Sequence, residues 1–178
     1  MAEKPPVVAI LPDMEVEKKY RVSSFGPTLA AIERLGAQPT IEVRSTHYYA
    51  HLDTDDTLKM VAQQDGPVEI HRLSTKNGLH TLEENIPVTD VEAGLAWFKD
   101  HGYHTLDTLD MHNREYAYGN GGLALYTIDG AVRSVILGYP EAELSEMEPA
   151  LGLTGAEQIT VPYNKYLASL GMLRSIDI

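Results

Sequence analysis

The 178-residue chain contains no cysteine, which excludes a disulfide framework, a thiolate metal site and a thiol nucleophile. Basic residues are also scarce, since 14 lysines and arginines stand against 26 aspartates and glutamates, a formal net charge of -12. That balance argues against a nucleic-acid polymer as partner, because such binders present a basic face. A nucleotide ligand is still allowed, since a local basic pocket can lie inside an acidic shell.

Long hydrophobic runs are missing as well. The N-terminal apolar run, residues 7–11, is too short for a signal peptide or a membrane span. We therefore expect a cytoplasmic protein with no membrane partner. Hydrophobic residues make up 43% and charged residues 22%, which is typical of a soluble globular protein. This length predicts one domain over residues 1–178, with residues 1–13 as an N-terminal extension.

Strand patterns dominate the chain. Segments bounded mostly by Gly, Asp, Asn or Pro read as strands at 7–11, 14–22, 40–49, 68–74, 79–88, 104–118, 123–128 and 132–139. The pairs Asn77-Gly78 and Asn120-Gly121 predict tight hairpins. Helical spacing predicts shorter segments near 29–35, 89–101, 145–148 and 163–170. The sequence thus predicts an α+β fold, with about eight antiparallel strands closed into a tunnel-like barrel and helices packed outside.

One strand carries an unusual set of charges. Period-two alternation places Glu15, Glu17 and Lys19 on one face, with Val16 and Tyr20 on the other. Two carboxylates beside an ammonium suit a magnesium ion that binds a phosphate, since this ion takes one or two carboxylates plus phosphate oxygens. The alternative is that this face is simply exposed to water, as many charged strand faces are.

Glu15-x-Glu17-x-Lys19 resembles the signature of the CYTH superfamily, the triphosphate tunnel metalloenzymes. Leu35-Gly36-Ala37 is similar to the end of the family's first helix, and Tyr48-Tyr49 to an aromatic pair on its next strand. His112-x-Arg114 resembles a later Lys-x-Arg strand, with histidine in place of lysine. The ending, from Leu151-Gly152-Leu153 onwards, is similar to the tail of class IV adenylyl cyclases. The resemblance covers most of the chain after residue 14.

The resemblance implies an enzyme that acts on a triphosphate compound, either as a phosphohydrolase or as an adenylyl cyclase, with Mg²⁺ or Mn²⁺ as cofactor. Lys19 and Glu17 would be catalytic. The implied metal ligands are Glu15, Glu17, Glu141 and Glu143. The implied phosphate ligands are Lys19, His71, Arg72, His112, Arg114 and Arg133. The partner would be a nucleotide or another triphosphate-bearing small molecule, and a homodimer is a candidate assembly.

Departures from the family pattern leave a second hypothesis open. The family's Arg-x-Arg pair reads Glu69-Ile70-His71-Arg72 here, and alternation lets only one of the two basic residues face inward. An even spacing along the last strand puts Ile136 and Gly138, rather than Glu141 and Glu143, at the second carboxylate pair. The alternative function is therefore a weak or inactive CYTH-like tunnel that binds a nucleotide or phosphorylated small molecule. Four other histidines are interpreted as surface or capping residues: His47, His51, His101 and His104.

Overall fold

The computed structural model describes residues 16–178, and within that range the chain forms ten strands and four helices. The strands are β1 Val16–Val22, β2 Gln38–Ala50, β3 Thr57–Gln63, β4 Val68–Lys76, β5 Leu79–Val88, β6 Thr105–Tyr118, β7 Gly121–Ile128, β8 Val132–Tyr139, β9 Glu157–Ile159 and β10 Arg174–Asp177. The helices are α1 Gly26–Leu35, α2 Val91–Asp100, α3 Leu144–Ala150 and α4 Tyr163–Ser169, and a 3-10 turn spans Glu141–Glu143.

Eight of the strands close into an antiparallel barrel in the order β6-β2-β3-β4-β5-β1-β8-β7, and β7 pairs back onto β6. Closure satisfies the edge groups that an open sheet would expose. The two short strands extend the barrel, since β9 pairs with β1 and β10 pairs with β6. The predicted α+β fold with a closed eight-stranded barrel is confirmed.

A tight turn joins β4 to β5. Asn77 and Gly78 have φ values of 53° and 74°, the left-handed pair whose twist matches that of the flanking strands. The hairpin between β6 and β7 has a positive φ at Gly119 and pairs Tyr118 with Gly121. The two-residue loop is therefore Gly119-Asn120 rather than the predicted Asn120-Gly121.

Three helices cover the outside of the barrel. The apolar face of α1 packs with Leu144 and Leu151 against outward side chains of β1, β7 and β8, including Tyr20 and Leu123. Phe98 of α2 packs against Leu58, Met60 and Ile70 on the outer faces of β3 and β4. Asp90 caps α2 by accepting a hydrogen bond from the Ala93 amide. None of the helices within residues 16–178 is long and apolar enough to cross a membrane.

The last helix, α4, packs differently. Tyr163, Tyr166 and Leu167 lie in the cluster formed by inward side chains such as Tyr126 and Ile136. This helix therefore closes the barrel interior rather than covering its outer wall.

One strand of the structure is absent from the sequence prediction. The segment Thr57–Gln63 forms β3 although the sequence predicts no strand there, because its run of buried residues lacks strict alternation. The predicted strand at 7–11 lies outside the described residues, as does the extension at 1–13.

Candidate functional site

A group of charged side chains lies inside the barrel. Glu17 and Lys19 project inward from β1, and Lys59 projects inward from β3 across the interior. Their exposed fractions are only 6%, 5% and 6%, respectively. We call Glu17, Lys19 and Lys59 the interior charge cluster.

The inward direction of β1 follows from packing on both of its faces. Tyr20, on the other face, is buried beneath α1 and α3 with other apolar side chains of the outer wall. Because successive side chains of a strand alternate, burying Tyr20 outside directs Glu17 and Lys19 inside. The structure therefore contradicts the interpretation of this face as solvent-exposed.

Lys19 is held by the segment that leads into α4. Its ammonium donates a hydrogen bond to the Val161 carbonyl at 2.7 Å and lies 4.4 Å from the centre of the Tyr163 ring. Lys59 lies 5.4 Å from the centre of the Tyr49 ring. Aromatic faces attract cations most strongly in places that water does not reach. The two ammonium groups are therefore partly stabilised by rings and one carbonyl.

Burial moves the pKa values of all three groups towards 7. Desolvation raises the pKa of Glu17 from 4.5 to about 7, although Lys59 and Lys19 oppose the rise. Desolvation, reinforced by Lys59, lowers the pKa of Lys19 from 10.5 to about 7. Desolvation also lowers the pKa of Lys59, from 10.5 to about 8. A buried charge is costly until a partner compensates it, so an anionic ligand would stabilise both ammonium groups.

Histidine side chains also lie in the interior, in addition to the buried carboxylates of Glu69 and Glu115. His47, His71 and His80 are buried, and burial lowers the pKa of each. Each has one ring nitrogen near a neighbour on its own hairpin or strand: Ser45, Glu69 or Thr75. The interpretation of His47 as a surface histidine is wrong, because alternation along β2 directs it inward with Tyr49.

Several interior polar atoms have no hydrogen-bond partner among residues 16–178. They include the Nδ1 atoms of His47 and His71, the Oδ1 atom of Asn113 and the hydroxyl oxygen of Tyr126. Leaving a buried polar atom unpaired costs about 1–3 kcal/mol. The interior therefore contains unused hydrogen-bonding capacity beside two ammonium groups, as expected of a site for a polar, anionic ligand.

α4 closes the cavity that these groups line. The Tyr163 and Ser134 hydroxyls are 2.7 Å apart, and Arg21 donates to the Tyr166 hydroxyl at 3.3 Å. Asn164 donates to the buried Asp107 carboxylate at 2.8 Å. The cavity measures about 20 Å³, enough for about one water molecule. A larger ligand must displace α4 or the side chains beneath it.

Four of the predicted phosphate ligands lie on the outer wall. Because His71 faces inward, its neighbour Arg72 faces outward, where it pairs with Glu84 and is 47% exposed. Asn113 and Glu115 occupy the inner face of β6, so His112 and Arg114 are directed outward. The buried Ser134 places Arg133 outside in the same way.

This placement corrects the expectation that Arg72, His112, Arg114 and Arg133 surround a ligand in the tunnel. The cause is period-two alternation, because a one-residue change of register exchanges the inner and outer faces. Of the predicted phosphate ligands, the structure places Lys19 and His71 inside. Their roles in binding stay predictions.

The second predicted carboxylate pair also lies away from the interior. Glu141 and Glu143 lie in the 3-10 turn after β8, and Glu143 accepts a hydrogen bond from Asn120. The β8 residues opposite Lys19 and Glu17 are Ile136 and Gly138. The alternative alignment is therefore correct for β8, and no carboxylate lies at these two positions. Pro140 at the end of β8 explains the change, since its fixed φ and missing amide suit the end of a ladder.

The described carboxylates do not form a metal site by themselves. Residues 16–178 contain no group of three or more His, Asp or Glu side chains placed to hold an ion. Glu17 is the described carboxylate that borders the cavity, and Glu15 lies outside the described residues. A single carboxylate does fit an ion held jointly by the protein and by phosphate oxygens, the usual situation for Mg²⁺.

Sequence reasoning missed Lys59, His47 and Tyr126, all of which line the cavity. Lys59 was missed because β3 was not predicted. The feature that could have identified Lys59 is its position within the mostly buried segment Thr57–Gln63, where a charged residue without a function is unusual.

Comparisons with known proteins support the fold. No family model matches the chain, and no curated protein matches it. Among solved structures, the PH1012 protein of Pyrococcus horikoshii is similar, with 19% identity and a TM-score of 0.74 over 84% of this chain and 97% of that one. A candidate adenylate cyclase of Vibrio parahaemolyticus has 14% identity and a TM-score of 0.67 over 88% and 98%. Another, of Bacillus halodurans, has 15% identity and a TM-score of 0.52 over 79% and 91%. At these identities the likeness shows a shared closed-barrel fold and nothing about activity.

Proposed function

We propose that the barrel interior binds a triphosphate-bearing compound and acts on it, either as a phosphohydrolase or as a nucleotidyl cyclase. The observation that carries the proposal is the interior charge cluster, because two desolvated ammonium groups facing one carboxylate are stabilised by an added anion. The likeness to candidate adenylate cyclases supports the same chemistry. Fold alone does not define activity, so the buried groups are the main support.

Each interior group has a role in this proposal. Lys19 and Lys59 bind phosphate oxygens and neutralise the charge that moves during phosphoryl transfer. Glu17, with Glu15 as its neighbour in the sequence motif, holds Mg²⁺ or Mn²⁺ together with the phosphate oxygens. The metal ion supplies further charge neutralisation when it is bound. His47, His71 and Tyr126 offer their unpaired atoms as neutral hydrogen-bonding groups.

Access to the interior requires a local rearrangement. The 20 Å³ cavity lies far below the roughly 300–1,000 Å³ of ordinary ligand pockets. Lys19 must exchange the Val161 carbonyl for a phosphate oxygen, and this exchange also frees the segment before α4. Ligand binding and displacement of α4 are therefore coupled in this proposal.

The test measures release of phosphate and of pyrophosphate from ATP, thiamine triphosphate and tripolyphosphate, with Mg²⁺, Mn²⁺ or EDTA. We expect turnover of at least one substrate with a divalent ion, and its loss in Glu17→Ala. Arg72→Gln is the matched control, because Arg72 lies on the outer wall. Failure of wild-type protein to turn over any of the three, with Glu17→Ala indistinguishable from it, would contradict an enzymatic role.

A second candidate is a tunnel that binds a phosphorylated small molecule without turnover. It is favoured by the outward placement of Arg72, Arg114 and Arg133 and by the apolar Ile136 opposite Lys19. A triphosphate carries about four negative charges, and two buried lysines offset only about half of them. Calorimetry that finds tight, metal-independent binding of a nucleotide and no turnover would favour this candidate over the enzyme.

A further inference from the structure

The basic side chains that the alternation directs outward are not scattered. Arg44 on β2 lies opposite His112 on β6, His112 lies opposite Thr127 on β7, and Thr127 lies opposite Arg133 on β8. Neighbouring strands are about 4.8 Å apart, so these residues form one row across the outer wall. We call Arg44, His112, Thr127 and Arg133 the outer basic row. Such a row is unexpected in a chain with a net charge of -12.

The charges of this row are only partly compensated. His112 is 2.8 Å from the Glu42 carboxylate, whereas Arg44 and Arg133 form no ion pair with any residue of the range 16–178. Two acidic neighbours, Asp110 and Asp129, are already paired with Arg174. The Arg44 guanidinium is therefore available to an anion from solution.

A groove lies directly beside Arg44 and His112. Its volume is about 790 Å³, within the range of pockets that hold small molecules. Its lining includes Arg44, Tyr48, Gln64, Val91, His112 and Thr127, together with the Asp110 carboxylate that pairs with Arg174. Tyr48 and Val91 provide an apolar wall, and burial raises the pKa of the Tyr48 hydroxyl, so that it stays a neutral donor. The Arg44 guanidinium at one side and an aromatic wall at the other suit a ligand with a phosphate and a flat ring.

We propose that this outer groove is a second binding site, separate from the barrel interior, for a nucleoside monophosphate or a similar phosphorylated ring compound. The phosphate contacts Arg44 and His112, because a guanidinium binds two phosphate oxygens at once. Gln64 and Thr127 lie at the same end and offer neutral hydrogen bonds. The ring packs against Tyr48 and Val91. A nucleic-acid polymer suits the site less well, since the acidic surface beyond the groove repels an extended phosphate backbone.

The site does not depend on the proposed function of the interior. None of the groove residues Arg44, Tyr48, Gln64 and His112 lines the interior cavity. The two sites can therefore be tested separately by substitution on opposite faces of the sheet.

The experiment titrates AMP into ¹⁵N-labelled full-length protein and follows the backbone amides. We expect shifts at Arg44, Gln64, His112 and Thr127, and about tenfold weaker binding in Arg44→Gln. Arg72→Gln, an exposed strand arginine elsewhere on the outer wall, should bind as wild type does. Lys19→Met, which alters the interior, should leave these shifts unchanged.

Three results would overturn the inference. They are shifts confined to residues of the interior, equal binding by wild type and Arg44→Gln, and equal weakening by Arg44→Gln and Arg72→Gln. A parallel titration with inorganic phosphate tests the ring contact. Tyr48→Ala should weaken AMP binding and leave phosphate binding unchanged, and phosphate binding as tight as AMP binding would also contradict the proposed ligand class.

Discussion

Charged side chains on the two faces of the barrel wall differ in their exposure to water. On the inner face, Glu17, Lys19 and Lys59 are almost completely buried, and their pKa values move towards neutrality. On the outer face, charged side chains such as Arg72 and Glu84 are about half exposed and pair with each other. Water solvates the outer charges at little cost, whereas the inner charges lose that solvation. Only the inner set therefore has a large free energy to gain from a ligand.

The largest expected effect comes from removing an interior ammonium group. Lys59→Met should weaken binding of tripolyphosphate by about 100-fold, because losing one partner of a buried charge pair costs about 2–5 kcal/mol. Arg72→Met removes the same charge from the outer wall and should leave the affinity within about twofold. Calorimetry on both variants checks this. Equal losses in the two would mean that the interior has no special role in binding.

A second comparison concerns two aspartates of β6. Asp107 is fully buried and accepts hydrogen bonds from Asn164 and Ser175, with His51 also within 2.9 Å. Asp110 is exposed and pairs with Arg174. Asp107→Asn should lower the free energy of unfolding by about 2–3 kcal/mol, because the buried donors lose a charged acceptor. Asp110→Asn should lower it by less than about 1 kcal/mol. Urea denaturation measures both, and similar values would contradict the difference between the faces.

The buried charges of the inner face make the stability of the fold depend on pH. The pKa of Glu17 is raised in the folded state, so its contribution falls as the pH rises from about 4.5 to about 7. The pKa values of Lys19 and Lys59 are lowered, so their contribution rises from about pH 7 or 8 up to about 10.5. The interior charge cluster should therefore produce a stability minimum near pH 7.

The measurement compares wild type with the triple variant Glu17→Gln, Lys19→Met, Lys59→Met. The free energy of unfolding of wild type, minus that of the variant, should be lowest near pH 7 and about 1–2 kcal/mol higher at pH 5 and pH 8.5. A difference that does not change with pH would show that these groups titrate as they do in the unfolded chain.

The sequence predicts the wall of this barrel better than it predicts which residues line the interior. Alternation and the Asn77-Gly78 turn predict strands and hairpins from local information, and the barrel that they imply is confirmed. Whether His71 or Arg72 faces inward depends on the register around the closed barrel, which no short segment contains. Lys59 could not be placed because β3 is buried on both faces and lacks alternation. Glu17 and Lys19 could be placed because their spacing matches a family motif.

The smallest expected effect is on the outer wall itself. Arg72 and Glu84 are 3.4 Å apart at their closest atoms and about half exposed, so solvent screens most of their attraction. A double-mutant cycle with Arg72→Gln and Glu84→Gln should give a coupling energy below about 0.5 kcal/mol. A coupling above about 1.5 kcal/mol would show that the outer wall also stores electrostatic energy. A value near zero would mean that this outer ion pair contributes little to the stability of the fold.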